Sequence, residues 1–183
     1  MRNLVSSTFG SSAEGSNQSN QRKVKSMNQL IILLRQHPNR QKPNLFLDLD
    51  GTVRKGLEEL GRFVNGPEDV DVYEPVRKSL IHYQETHNVI GVTNQLGIAL
   101  GHTTAEKVIA AAIETDRQCQ NAFNAILIAP ADDQYRKPNP GMLLHFGITP
   151  NDLMIGDRVE DILVAQNAKV EFKGALEWRN ELL

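Results

Sequence analysis

The chain has 183 residues, a formal net charge of −2 and a single cysteine, Cys119. That length gives one α/β unit a real core, and the balanced charge excludes a globally basic nucleic-acid binder or a membrane-surface protein. One thiol makes no intrachain disulfide or multi-cysteine zinc site, and no run approaches the ~20 apolar residues of a membrane-spanning helix, so the chain reads as a cytoplasmic protein of a reducing compartment.

Residues 1–26 are rich in Ser, Asn and Gln and poor in large apolar groups. Such a stretch cannot bury enough surface to offset its ordering entropy, so a disordered tail is expected, or an over-long start before Met27. Residues 27–43 are expected to form a short helix, Met27 to Gln36, and a linker broken at His37-Pro38 and Lys42-Pro43. From Asn44 the pattern becomes regular, and residues 44–183 are expected to form the folded domain. Leu45-Phe46-Leu47 reads as a buried strand emptying into Asp48-Leu49-Asp50-Gly51-Thr52. Glu74 to His87 places Val76, Leu80, Ile81 and Tyr83 at helical spacing. Val89 to Val92 is a second strand, ending at Thr93-Asn94-Gln95. Thr103-x-x-Glu106 forms a capping box, before a helix with Val108, Ile109, Ala112 and Ile113 on one face. Ala125 to Ala129 is a third strand, and Gly141 to Phe146 a short helix. Leu153-Met154-Ile155 is a fourth strand, running into Gly156-Asp157. A helix follows to about Ala168, and Val170-Glu171-Phe172 is a fifth strand. This alternation predicts a Rossmann-like three-layer α/β sandwich around a mostly parallel five-stranded sheet.

Ligands of such sheets bind beyond the carboxyl ends of the strands. Three loops there bring Asp48 and Asp50, Thr93 and Asn94, and Asp157 with Asp161 one helical turn later; Lys137 comes from the loop before Gly141. Converging carboxylates repel one another and suit a hard cation with an incomplete protein cage, which points to Mg²⁺. Lys137, the Thr93 hydroxyl and backbone N–H groups near Gly51 and Asn94 suit phosphate. Asp48 can attack phosphorus in line. Asp50, two residues on, cannot follow the path of Asp48. It is placed to protonate the leaving oxygen and then to activate water.

These four ordered motifs, over roughly residues 44 to 175, resemble those of the haloacid dehalogenase superfamily. The resemblance implies that Asp48 is nucleophile and metal ligand. It makes Asp50 the acid/base, with its backbone carbonyl on Mg²⁺, and Asp157 a further metal ligand. Thr93 and Lys137 become the phosphate binders, and Asp161 orients Lys137 or a metal-bound water. Thr93 lies 45 positions after Asp48, and Lys137 lies 44 after Thr93. Both intervals are filled by the elements above, so no separate cap domain is expected. The strings Thr93 to Gly101 and Arg136 to Met142 are similar to the branch of heptose bisphosphate and histidinol phosphatases. Polynucleotide 3′-phosphatases share a looser form. The branch makes Arg136 a substrate contact.

There are departures. Pro130 to Tyr135 offers no soft ligand where that branch often carries zinc, so no zinc is expected. Leu96 and Leu100 stand where a serine and an arginine are usual, and Leu49 where the heptose enzymes have arginine. The implied function is Mg²⁺-dependent hydrolysis of a small phosphorylated metabolite, of sugar phosphate or histidinol phosphate type, through an aspartyl phosphate. The alternatives are a polynucleotide 3′-phosphatase, which needs a basic groove, and a non-catalytic phosphate-binding protein. Arg54 is read as a substrate contact or a solvent-exposed residue, His102 as a loop residue, His145 as structural, and Trp178 as packing the terminal segment.

Overall fold

Apolar runs make the sheet, because a strand covered on both faces keeps no polar alternation. The computed structural model describes residues 23–27 and 30–183. In chain order the elements are β1 (Lys23–Met27), β2 (Leu30–Leu34), β3 (Asn44–Leu47), α1 (Leu57–Leu60), α2 (Glu74–Ser79), β4 (Asn88–Asn94), α3 (Ala105–Gln118), β5 (Ala125–Ala129), α4 (Gly141–Leu144), β6 (Leu153–Gly156), α5 (Val159–Ala168), β7 (Glu171–Gly174) and α6 (Ala175–Glu181). Two 3-10 segments, Pro67–Asp69 and Leu80–Glu85, flank α2.

The strand order is β1-β2-β5-β4-β3-β6-β7. The five expected strands are its parallel core. Two more extend it antiparallel along the free edge of β5. The short helix expected from Met27 to Gln36 is therefore corrected. Leu30 to Leu34 is a continuous apolar run with no polar face, and its β-branched Ile31 and Ile32 favour extended backbone. The edge of β5 supplies the ladder it needs, with Ile32 opposite Leu127. Of the tail expected over residues 1–26, residues 23–26 belong to β1. The remainder lies outside the described residues.

Side chains alternate across the sheet and define two cores. Leu45 and Leu47 face one side, with Val76, Val108 and Trp178. Phe46, Ile90 and Val92 face the other, with Met142, Leu143 and Val164. Helices α2, α3 and α6 cover the first face, and α4 and α5 the second, giving three layers.

Four local details differ from expectation. The N-cap of α3 is Thr104, one residue after the expected position, and its hydroxyl accepts from the Lys107 N–H at 3.4 Å. The buried face of α3 includes Ala111 and Thr115, while Ile113 is exposed. That rotation presents a hydroxyl and a carbonyl to a buried arginine, described below. Helix α2 stops at Ser79 and continues as 3-10 turns, and α6 was not anticipated. Trp178 of α6 is buried, and its Nε1 donates to the Tyr83 hydroxyl at 3.2 Å.

Candidate active site

The carboxyl ends of β3, β4 and β6 surround a cavity of about 770 Å³. The β3 chain leaves the sheet at Asp48, whose N–H still donates to the Ile155 carbonyl of β6 at 3.0 Å. This bond fixes the start of the Asp48 loop against the strand that delivers Asp157. Gly51 takes φ +94°, and a Cβ there would stand 2.2 Å from Asp157 Oδ2. Only glycine lets these two loops approach so closely. From α6, Arg179 donates to the Gly51 and Thr52 carbonyls at 2.6 and 3.1 Å and clamps the same loop. The Arg179 guanidinium also lies 4.0 Å from the Tyr73 ring centroid.

Lys137 is the hub of the site. It is buried, and its Nζ lies 2.6 Å from Asp48 Oδ1 and 2.6 Å from Asp161 Oδ1. It also donates to the Val92 carbonyl at 3.2 Å. Burial opposes charge on this lysine, but the two carboxylates outweigh it and hold the ammonium above the ordinary lysine pKa. Asp161 is fixed from its other side. Its Oδ2 accepts from the N–H groups of Asp157 and Arg158 at 3.2 and 3.1 Å, the open first turn of α5. Asp161 is thus a bridge between a helix start and the lysine.

Asp50 belongs to a second network. Its Oδ1 accepts from Arg54 Nε at 2.8 Å, and its Oδ2 from Gln95 Nε2 at 3.0 Å. Gln95 Nε2 also lies 3.0 Å from Thr93 Oγ1, so one amide ties the two residues together. Arg54 is only 2 % exposed, which corrects both readings of it as a substrate contact or a solvent-exposed residue. Its Nη1 donates to Thr115 Oγ1 at 2.8 Å and to the Ala111 carbonyl at 3.3 Å. A core helix therefore anchors the guanidinium that holds Asp50.

Asn94 lines the cavity, and its side chain ties the neighbouring loop in place. Its amide donates to the Lys137 carbonyl and accepts from the Lys137 N–H, both at 2.9 Å. These two bonds hold the lysine loop to β4. Arg136 lines the cavity, with its Nε 3.7 Å from Asp132 Oδ1, and His102 lines it too. His145 lies at the end of α4, with its ring 4.8 Å from that of Phe146. Cys119 is buried, and burial with the nearby Asp116 pushes its thiol up to about 12, so it supplies no thiolate. Gln95 and the anchoring role of Arg54 were missed in the sequence. Gln95 stands inside the Thr93-Asn94-Gln95 string, which was its one available signal.

A cation fits this donor set. Carboxylate oxygens of Asp48, Asp157 and Asp161 lie within 4.8 Å of one another. Asp161 is already committed to Lys137 and α5, whereas among the described residues Asp48 Oδ2 is buried without a hydrogen-bond partner. Burial raises the pKa of Asp157, and the Asp161 charge raises it further. The same causes, burial first, raise Asp48 to about 7 against the pull of Lys137. An orphaned buried oxygen beside a second carboxylate is relieved by a hard cation, and all the donors are oxygen. The side chain of Asp50 lines the cavity, with its oxygens held in their own network.

Comparison with known proteins adds the following. Residues 44–175 match the family model described as Polynucleotide kinase 3 phosphatase. The chain is 28% identical over 152 residues to the D-glycero-beta-D-manno-heptose-1,7-bisphosphate 7-phosphatase of Pasteurella multocida (strain Pm70), covering 71% of this chain and 79% of the relative. It is 29% identical over 152 residues to the enzyme of the same description from Vibrio cholerae serotype O1, covering 72% and 80%. Among solved structures, the D,D-heptose 1.7-bisphosphate phosphatase from B. bronchiseptica complexed with magnesium and phosphate superposes with a TM-score of 0.61. It is 23% identical and covers 72% of this chain and 78% of that one. At that identity the superposition shows a shared fold.

Proposed function

The chain belongs to the polynucleotide kinase 3 phosphatase family, within the haloacid dehalogenase phosphatases, and from that premise we propose that it is a Mg²⁺-dependent phosphomonoesterase working through an aspartyl phosphate on Asp48. The observation behind this reading is the state of Asp48. One of its oxygens is held by Lys137 and the other is buried without a partner among the described residues, at the floor of an open cavity.

Phosphate enters with its oxygens toward Lys137 and the Thr93 hydroxyl. An Asp48 oxygen forms a bond to phosphorus as the bond to the ester oxygen breaks. Asp50 gives its proton to that oxygen, and the alcohol leaves neutral. Water then attacks phosphorus, Asp50 takes its proton, and the Asp48 carboxylate is restored with release of inorganic phosphate. Asp48, Asp157 and the Asp50 carbonyl would hold Mg²⁺, which offsets the negative charge of phosphate and keeps Asp48 ionised. The Lys137–Asp161 bond holds the ammonium where charge gathers on the phosphoryl oxygens.

The substrate proposed is a small phosphorylated metabolite, of sugar phosphate or histidinol phosphate type, in keeping with the sugar-phosphate names of the relatives. The family description favours a second reading, removal of a 3′-phosphate from a polynucleotide. No described helix is long and apolar enough to cross a membrane, and the proposed compartment is the cytoplasm.

The test is phosphate release from a panel holding both classes, with Mg²⁺ and with EDTA. A rapid acid quench of single turnovers is added, to look for a phosphorylated Asp48 peptide by mass. Metal-dependent release that disappears in Asp48→Asn supports the reading. Equal release from Asp48→Asn removes the nucleophile assignment.

A further inference from the structure

The cavity is far larger than a phosphate needs, and part of its wall is apolar. Phe63, in the segment between α1 and α2, is 71 % exposed, and Leu100, after β4, is 58 % exposed. Both line the same cavity as Asp48 and Lys137, together with Leu57 and Leu96. Leaving large apolar groups open to water is costly, and a run of them rimming a reactive floor marks where a ligand is held.

The charges at this rim are already balanced. Arg62 donates to Asp69 at 2.6 Å, and Arg136 lies 3.7 Å from Asp132. Arg158 and Glu160, opposite in charge, line the same wall. A second phosphate would find few uncommitted cations here. A ring would find an aromatic face and two leucines.

We propose that the alcohol part of the substrate carries a flat aromatic or heteroaromatic ring, which stacks on Phe63 and packs against Leu96 and Leu100. The proposal rests on the phosphatase reading, because the phosphate held at Asp48 and Lys137 is what aims the alcohol at this wall. The ring chemistry has two sources, a free ring-bearing ester or a base at the end of a nucleic acid. Phe63 and Leu100 are then the specificity-determining residues, and of the esters considered above the wall favours the ring-bearing ones over the sugar phosphates.

The experiment compares matched esters in the presence of Mg²⁺. The pairs are 2-phenylethyl phosphate against ethyl phosphate, and a nucleoside 5′-monophosphate against ribose 5-phosphate. A 3′-phosphorylated oligonucleotide against the free nucleoside 3′-monophosphate separates the two sources. The ring-bearing member of each matched pair is expected to have the higher kcat/KM, by about fivefold or more, the usual strength of one aromatic stack. Phe63→Ala is expected to lower kcat/KM for the ring-bearing member about fivefold more than for its partner, through KM, and Phe63→Tyr to retain the preference. Because Phe63 is exposed, the alanine variant keeps its fold, which a urea midpoint verifies. Turnover without ring preference, or an equal loss on both members in Phe63→Ala, overturns the inference and leaves the phosphatase reading standing. No turnover of any ester by the unaltered protein overturns both.

Discussion

Replacing Arg54 with methionine removes a charge that the core holds under Asp50. Arg54 Nε lies 2.8 Å from Asp50 Oδ1, and Nη1 lies 2.8 Å from Thr115 Oγ1. Methionine fills much of the same space. Thr115 keeps a partner, because its hydroxyl also donates to the Ala111 carbonyl at 2.8 Å. The Asp50 side chain is 27 % exposed, so water reaches the carboxylate once its partner is gone. The stability cost is therefore that of a charged hydrogen bond, about 1.5–3 kcal/mol, and not the ~3–5 kcal/mol of a stranded buried charge. The chemical cost depends on the leaving group. A positioned acid contributes about 10²–10⁴-fold where the leaving oxygen needs a proton. An alkoxide needs one, whereas a nitrophenolate leaves without it. Arg54→Met is expected to lower kcat by about 100-fold on alkyl phosphates and by no more than about tenfold on 4-nitrophenyl phosphate. The assay is kcat across esters of graded leaving-group acidity, beside a urea unfolding curve. An equal loss across the series in a folded protein would refute the positioning of Asp50 by Arg54.

Other expectations follow from the same geometry. Lys137→Met leaves Asp48 and Asp161 buried without their shared partner, so we expect turnover to vanish and stability to fall by about 3–5 kcal/mol; an unchanged urea midpoint would contradict the buried pairs. In metal-free protein, burial first, then Asp161 and Asp50, raises Asp48 from 3.8 to about 7, so the folded state holds this proton more tightly. Its contribution is present below the unfolded value and is lost as pH rises through that window. Asp48→Asn in EDTA should thus gain stability relative to the parent from pH 4 to pH 7, and a flat or opposite trend in urea titrations speaks against it. Gly51→Ala puts a Cβ 2.2 Å from Asp157 Oδ2 at φ +94°, so we expect a loss of about 1–3 kcal/mol and weaker Mg²⁺ binding by calorimetry; undiminished binding would show that the loops can part freely.

The parallel core was legible because each of its strands is a short apolar run ending in loop residues, and period and length together identify such runs. Leu30 to Leu34 failed that test only in its context. It precedes two prolines and looked like a helix before a break, while its partner, β5, lies about 95 residues later. A sequence shows the apolar run but not the edge that receives it. The motif carboxylates and lysine were legible as types at strand ends. Their allegiances were not. Arg54 was read as a substrate contact or a solvent-exposed residue because nothing local says that α3 turns Thr115 and the Ala111 carbonyl toward it.

Those allegiances explain why three consecutive residues at the end of β4 all matter while doing different work. Thr93 offers its hydroxyl to the cavity and meets the Gln95 amide. Asn94 spends both ends of its amide on the Lys137 backbone, and so fixes where the ammonium stands relative to Asp48. Gln95 reaches Asp50 instead. One strand end therefore sets the spacing between Lys137 and Asp50. Leu96 and Leu100, further along the same loop, then line the cavity's apolar wall. A substitution at Asn94 should consequently disturb every substrate alike, since it moves the lysine, whereas one at Leu100 should disturb substrates selectively. Asn94→Ala with a uniform fall in kcat/KM across ring-bearing and ringless esters, beside Leu100→Ala with an uneven one, would display that division. The reverse pattern would mean that the lysine loop holds its place without Asn94.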